Sequence, residues 1–232
     1  MQSILLRLLK DWILKIRNNY LTGYSLKSYS QEGEDIILKR FFGDKKGGFF
    51  VDVGAHHPKR FSNTYFFYKL GWHGINIDAM PGSMILFNTL RSRDVNIEIP
   101  ISSKKEILTY YAFNEPALNG FSERLSQQRD GLKHYKIVST QKMKTSTLSN
   151  VLSEHLAHNQ KIDFMSIDVE GLDLEVIKSN DWDRFRPKII LVEMLNNSLE
   201  DFISDDIYVY LKGKNYNLYA KTVNTAFFKC ND

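Results

Sequence analysis

Four acidic segments each follow a short apolar run, and each placement suits chemistry at the open end of a sheet. The first is Val51-Asp52-Val53-Gly54-Ala55-His56-His57-Pro58. Here Gly54 permits a tight turn and a close backbone approach, and Asp52 supplies a carboxylate at the mouth. The second is Asp78. It follows Gly54 at roughly the 20-residue separation at which an acid in a doubly wound fold accepts hydrogen bonds from ribose hydroxyls. The third is Asp168-Val169-Glu170-Gly171, and the fourth is Glu193, directly after Ile189-Ile190-Leu191-Val192. Ligands of doubly wound sheets bind beyond the carboxyl ends of the strands, so these acids are expected to share one crevice. There they would position an acceptor hydroxyl, withdraw its proton, or hold a divalent cation that acidifies it. The competing reading is that Asp168 caps the next helix and Glu193 pairs with a nearby base. His56 and His57 are general-base candidates on the first loop, or hydrogen-bonding loop residues without chemistry.

A glycine turn followed by Asp78 predicts a nucleoside-bearing ligand. A dinucleotide site needs G-x-G-x-x-G to bring a pyrophosphate onto backbone amides and a helix N-terminus. In this chain the later glycine positions are His56 and Lys59. That loss favours S-adenosylmethionine, which has no phosphate, over NAD. Alone, the D-x-G turn would equally suit any strand-to-helix junction.

The elements that must position these residues alternate along the chain. Apolar spacing predicts a helix over Gln31 to Phe42 that Gly47 and Gly48 stop, then a buried strand over Phe49 to Val53. A helix from Ser62 to Leu70, closed by Gly71, and a strand from Gly74 to Asp78 complete a βαβ unit. A helix through Arg91 and a third strand over Val95 to Ile101 follow. Ile107 to Tyr111 reads as a strand, whereas Asn114 to Gly131 is polar and aperiodic, a substrate-facing insertion or a surface loop. Acceptor specificity is expected in the irregular Ala112 to Lys136 region. Tyr110, Tyr111, Phe113 and Phe121 would either stack on sugar faces or pack that loop onto the sheet. Helices over Thr147 to His155 and Leu172 to Ser179, strands over Ile162 to Ile167 and Lys188 to Glu193, a helix near Asp205 to Gly213 and two terminal strands finish an α/β, doubly wound order.

With 232 residues and 43% hydrophobic composition, the chain suits one catalytic domain with an appendage. Its net charge of +4 is dispersed rather than gathered into a stripe, so no nucleic-acid partner is expected. The lone Cys230 allows neither an internal disulfide nor a cysteine-rich zinc site, consistent with a cytoplasmic setting. Near the N-terminus, Ile4, Leu5, Leu8, Leu9, Trp12, Ile13 and Ile16 form a helical stripe, with Arg7, Lys10, Lys15 and Arg17 on the polar side. Such a helix packs on its own domain, lies on an anionic membrane, or pairs with another subunit.

Read together, Ser30-Gln31-Glu32-Gly33-Glu34-Asp35, the segment from Phe50 to Pro58, Gly74 to Ser83, Thr147-Leu148 and Ile162 to Gly171 resemble the FkbM family of S-adenosylmethionine-dependent methyltransferases. The likeness runs from about Ser30 to Glu193, with His57-Pro58 where many members carry an asparagine- or glycine-containing turn. It implies a Rossmann-like, seven-stranded, mostly parallel sheet in residues 30–232, behind a helical extension over residues 1–29. It also implies cofactor contacts at Asp52, Gly54, Ala55 and Asp78, with His56 and Ala79 beside them. The acidic site motif carries over to Asp168 and Glu170, with Glu193 and His57 as further candidates for catalysis. The expected reaction is O-methylation of a carbohydrate or small natural-product-like acceptor, with a divalent metal as an optional addition. The rivals are a methyltransferase fold that binds without turnover and an NAD-dependent oxidoreductase.

Overall fold

A computed structural model of the chain describes residues 2–21, 23–195 and 202–231. Helix α1 spans Gln2–Tyr20, and α2 (Glu34–Phe42) leads into β1 (Phe49–Val53), α3 (Tyr65–Lys69), β2 (His73–Asp78), α4 (Ser83–Leu90) and β3 (Val95–Glu98). An insertion follows: β4 (Ile107–Phe113), α5 (Glu123–Arg129) and β5 (Ile137–Lys144). The main fold resumes with α6 (Leu148–His155), β6 (Phe164–Ile167), α7 (Asp173–Lys178), β7 (Ile189–Glu193), α8 (Asp206–Gly213), β8 (Tyr216–Lys221) and β9 (Thr225–Cys230).

Seven strands form one sheet in the order β3-β2-β1-β6-β7-β9-β8. All pairings are parallel except those of β9, which runs against both neighbours. This is the expected α/β architecture, and the strand order reverses between β1 and β6, where doubly wound sheets open their crevice. The core lies on both faces. On one, Val51, Val53 and Ile167 pack against Val151 and Leu152 of α6 and Val176 of α7. On the other, Phe50 and Phe164 meet Leu38 of α2, Phe67 of α3 and Trp72. Burial on both faces explains why these strands read as nearly continuous apolar runs.

Several boundaries shift. Helix α2 ends at Gly43, whose positive φ of 59° stops it before Gly47 and Gly48 are reached. The third strand ends at Glu98 rather than Ile101. The strand expected at Ile107 is present but pairs outside the main sheet, as an antiparallel hairpin with β5. Strand β5 escapes sequence reading because its residues are almost all exposed and so carry no apolar alternation. The aperiodic stretch contains α5, capped by the Ser122 hydroxyl, which accepts from the Leu125 N–H.

Strand periodicity sends Asp52 to the same face as Phe50, under α3 and away from the open edge. Its register partners are Asn76 on β2 and Ser166 on β6, which makes a polar row across three buried strands. That row has to be hydrogen-bonded. The Thr64 hydroxyl donates to Asp52 Oδ2 at 2.9 Å, Asn63 Nδ2 donates to Ser166 Oγ at 3.0 Å, and Asn76 Nδ2 donates to Asp94. Arg91, fully buried, ties the set together: Nε donates to Asp94 at 2.8 Å, one Nη to Thr64 Oγ1, and the other to the Pro58 carbonyl. Its guanidinium also lies 4.6 Å from the Tyr68 ring centre. The network fixes the loop that leaves β1.

Removing the guanidinium, as in Arg91→Ala, leaves Asp94 buried without its counter-charge and is expected to cost about 3–5 kcal/mol of unfolding free energy. Urea melts at neutral pH read this loss; one below about 1 kcal/mol, the scale of an exposed ion pair, would mean that Arg91 only fills space. A second test uses Asp52. Burial is the main force lifting its carboxyl from 3.8 to about 6, with Asp78 and Asp94 adding to the rise and the Thr64 hydrogen bond and Arg91 opposing it. Since the folded value exceeds the unfolded one, the native state holds the extra proton in between, and stability falls as pH rises through that window. The fall attributable to Asp52 is roughly 3 kcal/mol between about pH 4 and 7, and Asp52→Asn abolishes it. Parallel stability curves for the two chains across that range would show that Asp52 titrates normally.

Candidate functional site

The register aligns the strand ends. Val53 of β1 pairs with Ile77 of β2 and Ile167 of β6, and Ile167 pairs with Val192 of β7. The next residue along each strand therefore stands in one row at the carboxyl edge: Asp78, Gly54, Asp168 and Glu193. All four line a single cleft of about 430 Å³, within the range of small-molecule sites.

Gly54 occupies the middle of the row with φ 82°. Its N–H donates to the Ile77 carbonyl at 2.9 Å, and the Asp168 N–H donates to the Val53 carbonyl at 2.9 Å. A Cβ added at Gly54 would fall 1.6 Å from the Asp168 carbonyl oxygen. The glycine is thus required by the close approach of β1 and β6 as well as by its turn.

On one side of Gly54 is Asp78. Its Oδ2 accepts from the His56 N–H and its Oδ1 from the Met80 N–H, both at 2.7 Å, and Ala79 lies between them on the cleft wall. Burial raises the Asp78 pKa against these two hydrogen bonds. His56 also lines the cleft, its ring stacked over Phe61 and its pKa lowered by burial. The remaining residues of the first loop lie elsewhere. Asp52 sits beneath the sheet in the polar row, and buried Ala55 packs with Met84 and Phe87 of α4. His57 Nδ1 accepts the N–H groups of Lys59 and Arg60 at 3.0 and 2.9 Å, so its lone pair closes a turn outside the cleft lining.

On the other side, carboxylate oxygens of Asp168, Glu170 and Glu193 lie within 4.8 Å of one another. Burial comes first among the causes that raise the pKa of each; the charges of Glu193 and Glu170 add to it at Asp168, and that of Glu170 adds to it at Glu193. Like charges this close favour retention of a proton or the presence of a cation. Arg129 of α5 bonds Glu170 Oε2 at 2.5 Å. Among the described residues no side chain caps α7, whose N-cap position is Leu172; Asp173 instead accepts from the Val169 and Gly171 N–H groups of the preceding loop, each at 3.1 Å, and burial lifts its carboxyl to about 7. Asp168 therefore makes no cap, and its Oδ1 is buried with no hydrogen-bond partner among the described residues. The same three oxygens are spaced to admit a divalent ion.

Two further groups of residues complete the cleft: the first comes from the insertion, where acceptor specificity was expected, and the second had no signal of its position in the sequence. The insertion roofs the cleft with Tyr110, Phe121, Arg129 and Tyr135. Tyr110 and Phe121 contact each other at 5.2 Å between ring centres, so they pack the insertion and face the cleft at once. Tyr111 and Phe113 do not line it. Gly120 and Gly171 allow this roof to close, since a Cβ on the first would come 3.1 Å from Glu170 Cβ and on the second 2.5 Å from a Leu125 methyl. The second group is set by the acids at the start of α2. Glu32 accepts from the Asn224 N–H and Nδ2, Glu34 from the Thr225 hydroxyl, and Asp35 from Ser28, Ser30 and the Tyr29 N–H. The Glu32 and Glu34 bonds staple the start of α2 to the turn between β8 and β9, Asp35 ties down the segment before it, and Gln31 and Asn224 come to the cleft that Glu193 lines.

The cleft suits S-adenosylmethionine in these respects: a strand end where only glycine fits, a half-buried acid on the neighbouring strand, and no glycine-rich phosphate cradle. Among solved structures, similar chains are the proposed RNA methyltransferase PH1948 from Pyrococcus horikoshii (TM-score 0.45, 9% identity, 85% of this chain and 83% of that one) and a TehB-like SAM-dependent methyltransferase from Corynebacterium glutamicum (0.43, 9%, 96% and 97%). YjhP from E. coli gives 0.37 at 12% identity, over 90% of this chain and 73% of that one. Likenesses of this size carry no argument about chemistry. No curated protein sequence matches significantly. The model of the methyltransferase FkbM domain matches residues 52–218, most of the chain and all four strand ends. That match sets aside the oxidoreductase expectation: the chain belongs to the FkbM methyltransferase family and is an S-adenosylmethionine-dependent methyltransferase.

Proposed function

We propose that the protein methylates a hydroxyl oxygen of a carbohydrate-type or small natural-product-like acceptor, with the carboxylate cluster receiving the hydroxyl proton. The observation that carries this reading is the unpartnered Asp168 Oδ1 within the Asp168–Glu170–Glu193 cluster, one strand end away from Gly54.

Each chain residue then has a task. Asp78 spends one lone pair of each oxygen on a backbone N–H, which fixes its orientation and leaves a lone pair on each for the two ribose hydroxyls. Gly54 lets the cofactor approach the backbone, and Ala79 and His56 wall its adenosine side. When bound, S-adenosylmethionine supplies an electrophilic methyl group on a positively charged sulfur. The acceptor end offers Gln31, Asn224, Arg129, Glu170 and Glu193, a mixture of donors and acceptors that suits a polyhydroxylated molecule. Burial and crowding raise the proton affinity of the cluster, which favours proton uptake there, while Arg129 holds Glu170 in place.

Asp168→Asn is expected to lower kcat by about 10²- to 10⁴-fold while leaving S-adenosylhomocysteine affinity nearly unchanged. Product release measured across a panel of glycans and small hydroxylated compounds reads the first quantity, and calorimetry the second. Unchanged turnover would remove Asp168 from the chemistry. A divalent ion bridging the same carboxylates is the second reading that their 4.8 Å spacing admits. Chelation would then abolish turnover, whereas proton uptake by the cluster survives it.

A further inference from the structure

Helix α1 does not contribute its apolar side chains to the core. Leu5, Leu9, Trp12 and Ile13 are 70%, 53%, 61% and 52% exposed, so the expectation that the helix packs on its own domain is not met. Exposed apolar surface on this scale needs an occupant. The exposure continues beyond the helix at Tyr24 and Leu26, and Leu26 borders a groove with Ile36, Ile37 and Tyr219.

We propose that α1 holds the enzyme on an anionic lipid surface, lying in the plane of the headgroups. The apolar side is broad: it takes in Leu5, Leu6, Leu8 and Leu9 within two turns, where a coiled-coil seam uses only two positions in seven. A planar interface accepts such an arc, and a second helix does not. The charges point the same way. Arg7, Lys10, Lys15 and Arg17 are opposed only by Asp11, so two copies of α1 would bring cations together without acids to pair them. Anionic headgroups complement this helix, long basic side chains reach toward them from its borders, and Trp12 suits the boundary between acyl chain and headgroup. Crossing is ruled out for the described helices, since none is long and apolar enough to span a membrane.

The test is cosedimentation of the full chain with phosphatidylcholine vesicles and with vesicles containing about 30% phosphatidylglycerol. Binding to the anionic vesicles is expected to be at least about tenfold tighter and to weaken as salt rises from about 0.1 to 0.5 M. Lys10→Glu with Arg17→Glu should erase the preference. Leu9→Glu with Ile13→Glu should abolish vesicle binding without moving the urea midpoint, because neither side chain enters the core. Absence of binding, or equal binding to both vesicles, overturns the proposal. So does a dimer in sedimentation equilibrium that the leucine and isoleucine substitutions dissolve, since α1 would then be covered by a second copy.

Discussion

Pairing of Val53 with Ile77 on one side and Ile167 on the other, and of Ile167 with Val192, makes four parallel strands end in step. A slip of one residue in any pair would turn its terminal side chain to the opposite face and take an acid out of the row. Double-sided burial of the strands holds the register, and Gly54 lets the central two come close enough to share it. Asp78 on one side and Asp168 and Glu193 on the other flank this glycine because of strand order alone, and Glu170 joins the latter two from the loop after β6.

Burying so many carboxylates requires compensation, and the two faces of the row solve the problem differently. Below the cleft floor, Asp52 and Asp94 are surrounded by fixed donors from Thr64, Asn76 and Arg91, and Asn76 Oδ1 is left without a partner among the described residues. At the open edge, Asp78 is half satisfied by backbone N–H groups, and Arg129 offsets Glu170, but Asp168 Oδ1 is left without a partner. The carboxylates of the structural layer meet fixed donors, whereas the unpartnered oxygen of Asp168 faces the cleft, where a ligand has groups to contribute.

Much of this was legible in the residue pattern. The buried strands, the alternation with helices and the acids at Asp78, Asp168 and Glu193 follow from apolar runs ending in carboxylates. Asp52 was expected beside the ligand because it precedes Gly54 by only two residues. The period of two in β1 instead turns it under α3, a consequence available from the alternation of Phe50 and Val51 once the strand is fixed. The cap expected of Asp168 is made by no described side chain; the left-handed backbone at Glu170 and Gly171 belongs to a loop whose N–H groups bond Asp173 instead. The roof over the cleft was legible in part: the strand at Ile107, the specificity region and the aromatic Tyr110 and Phe121 were expected, but β5 is exposed and gave no alternation to show its pairing with β4. Glu32 and Glu34 contributed to the family resemblance without revealing their work, because their partners Asn224 and Thr225 lie near the other end of the sequence.

The most direct test of the central claim, that the aligned strand ends form an adenosyl-cofactor site, is calorimetric titration with S-adenosylmethionine, S-adenosylhomocysteine and NAD. Wild type should be measured beside an Asp78→Ala variant whose urea midpoint matches it. Both adenosyl ligands are expected to bind and NAD to fail, with affinity at least about tenfold weaker in the variant for the loss of two hydrogen bonds to a charged acceptor. Binding of NAD alone, or adenosyl affinity unaltered by the substitution, would contradict the account.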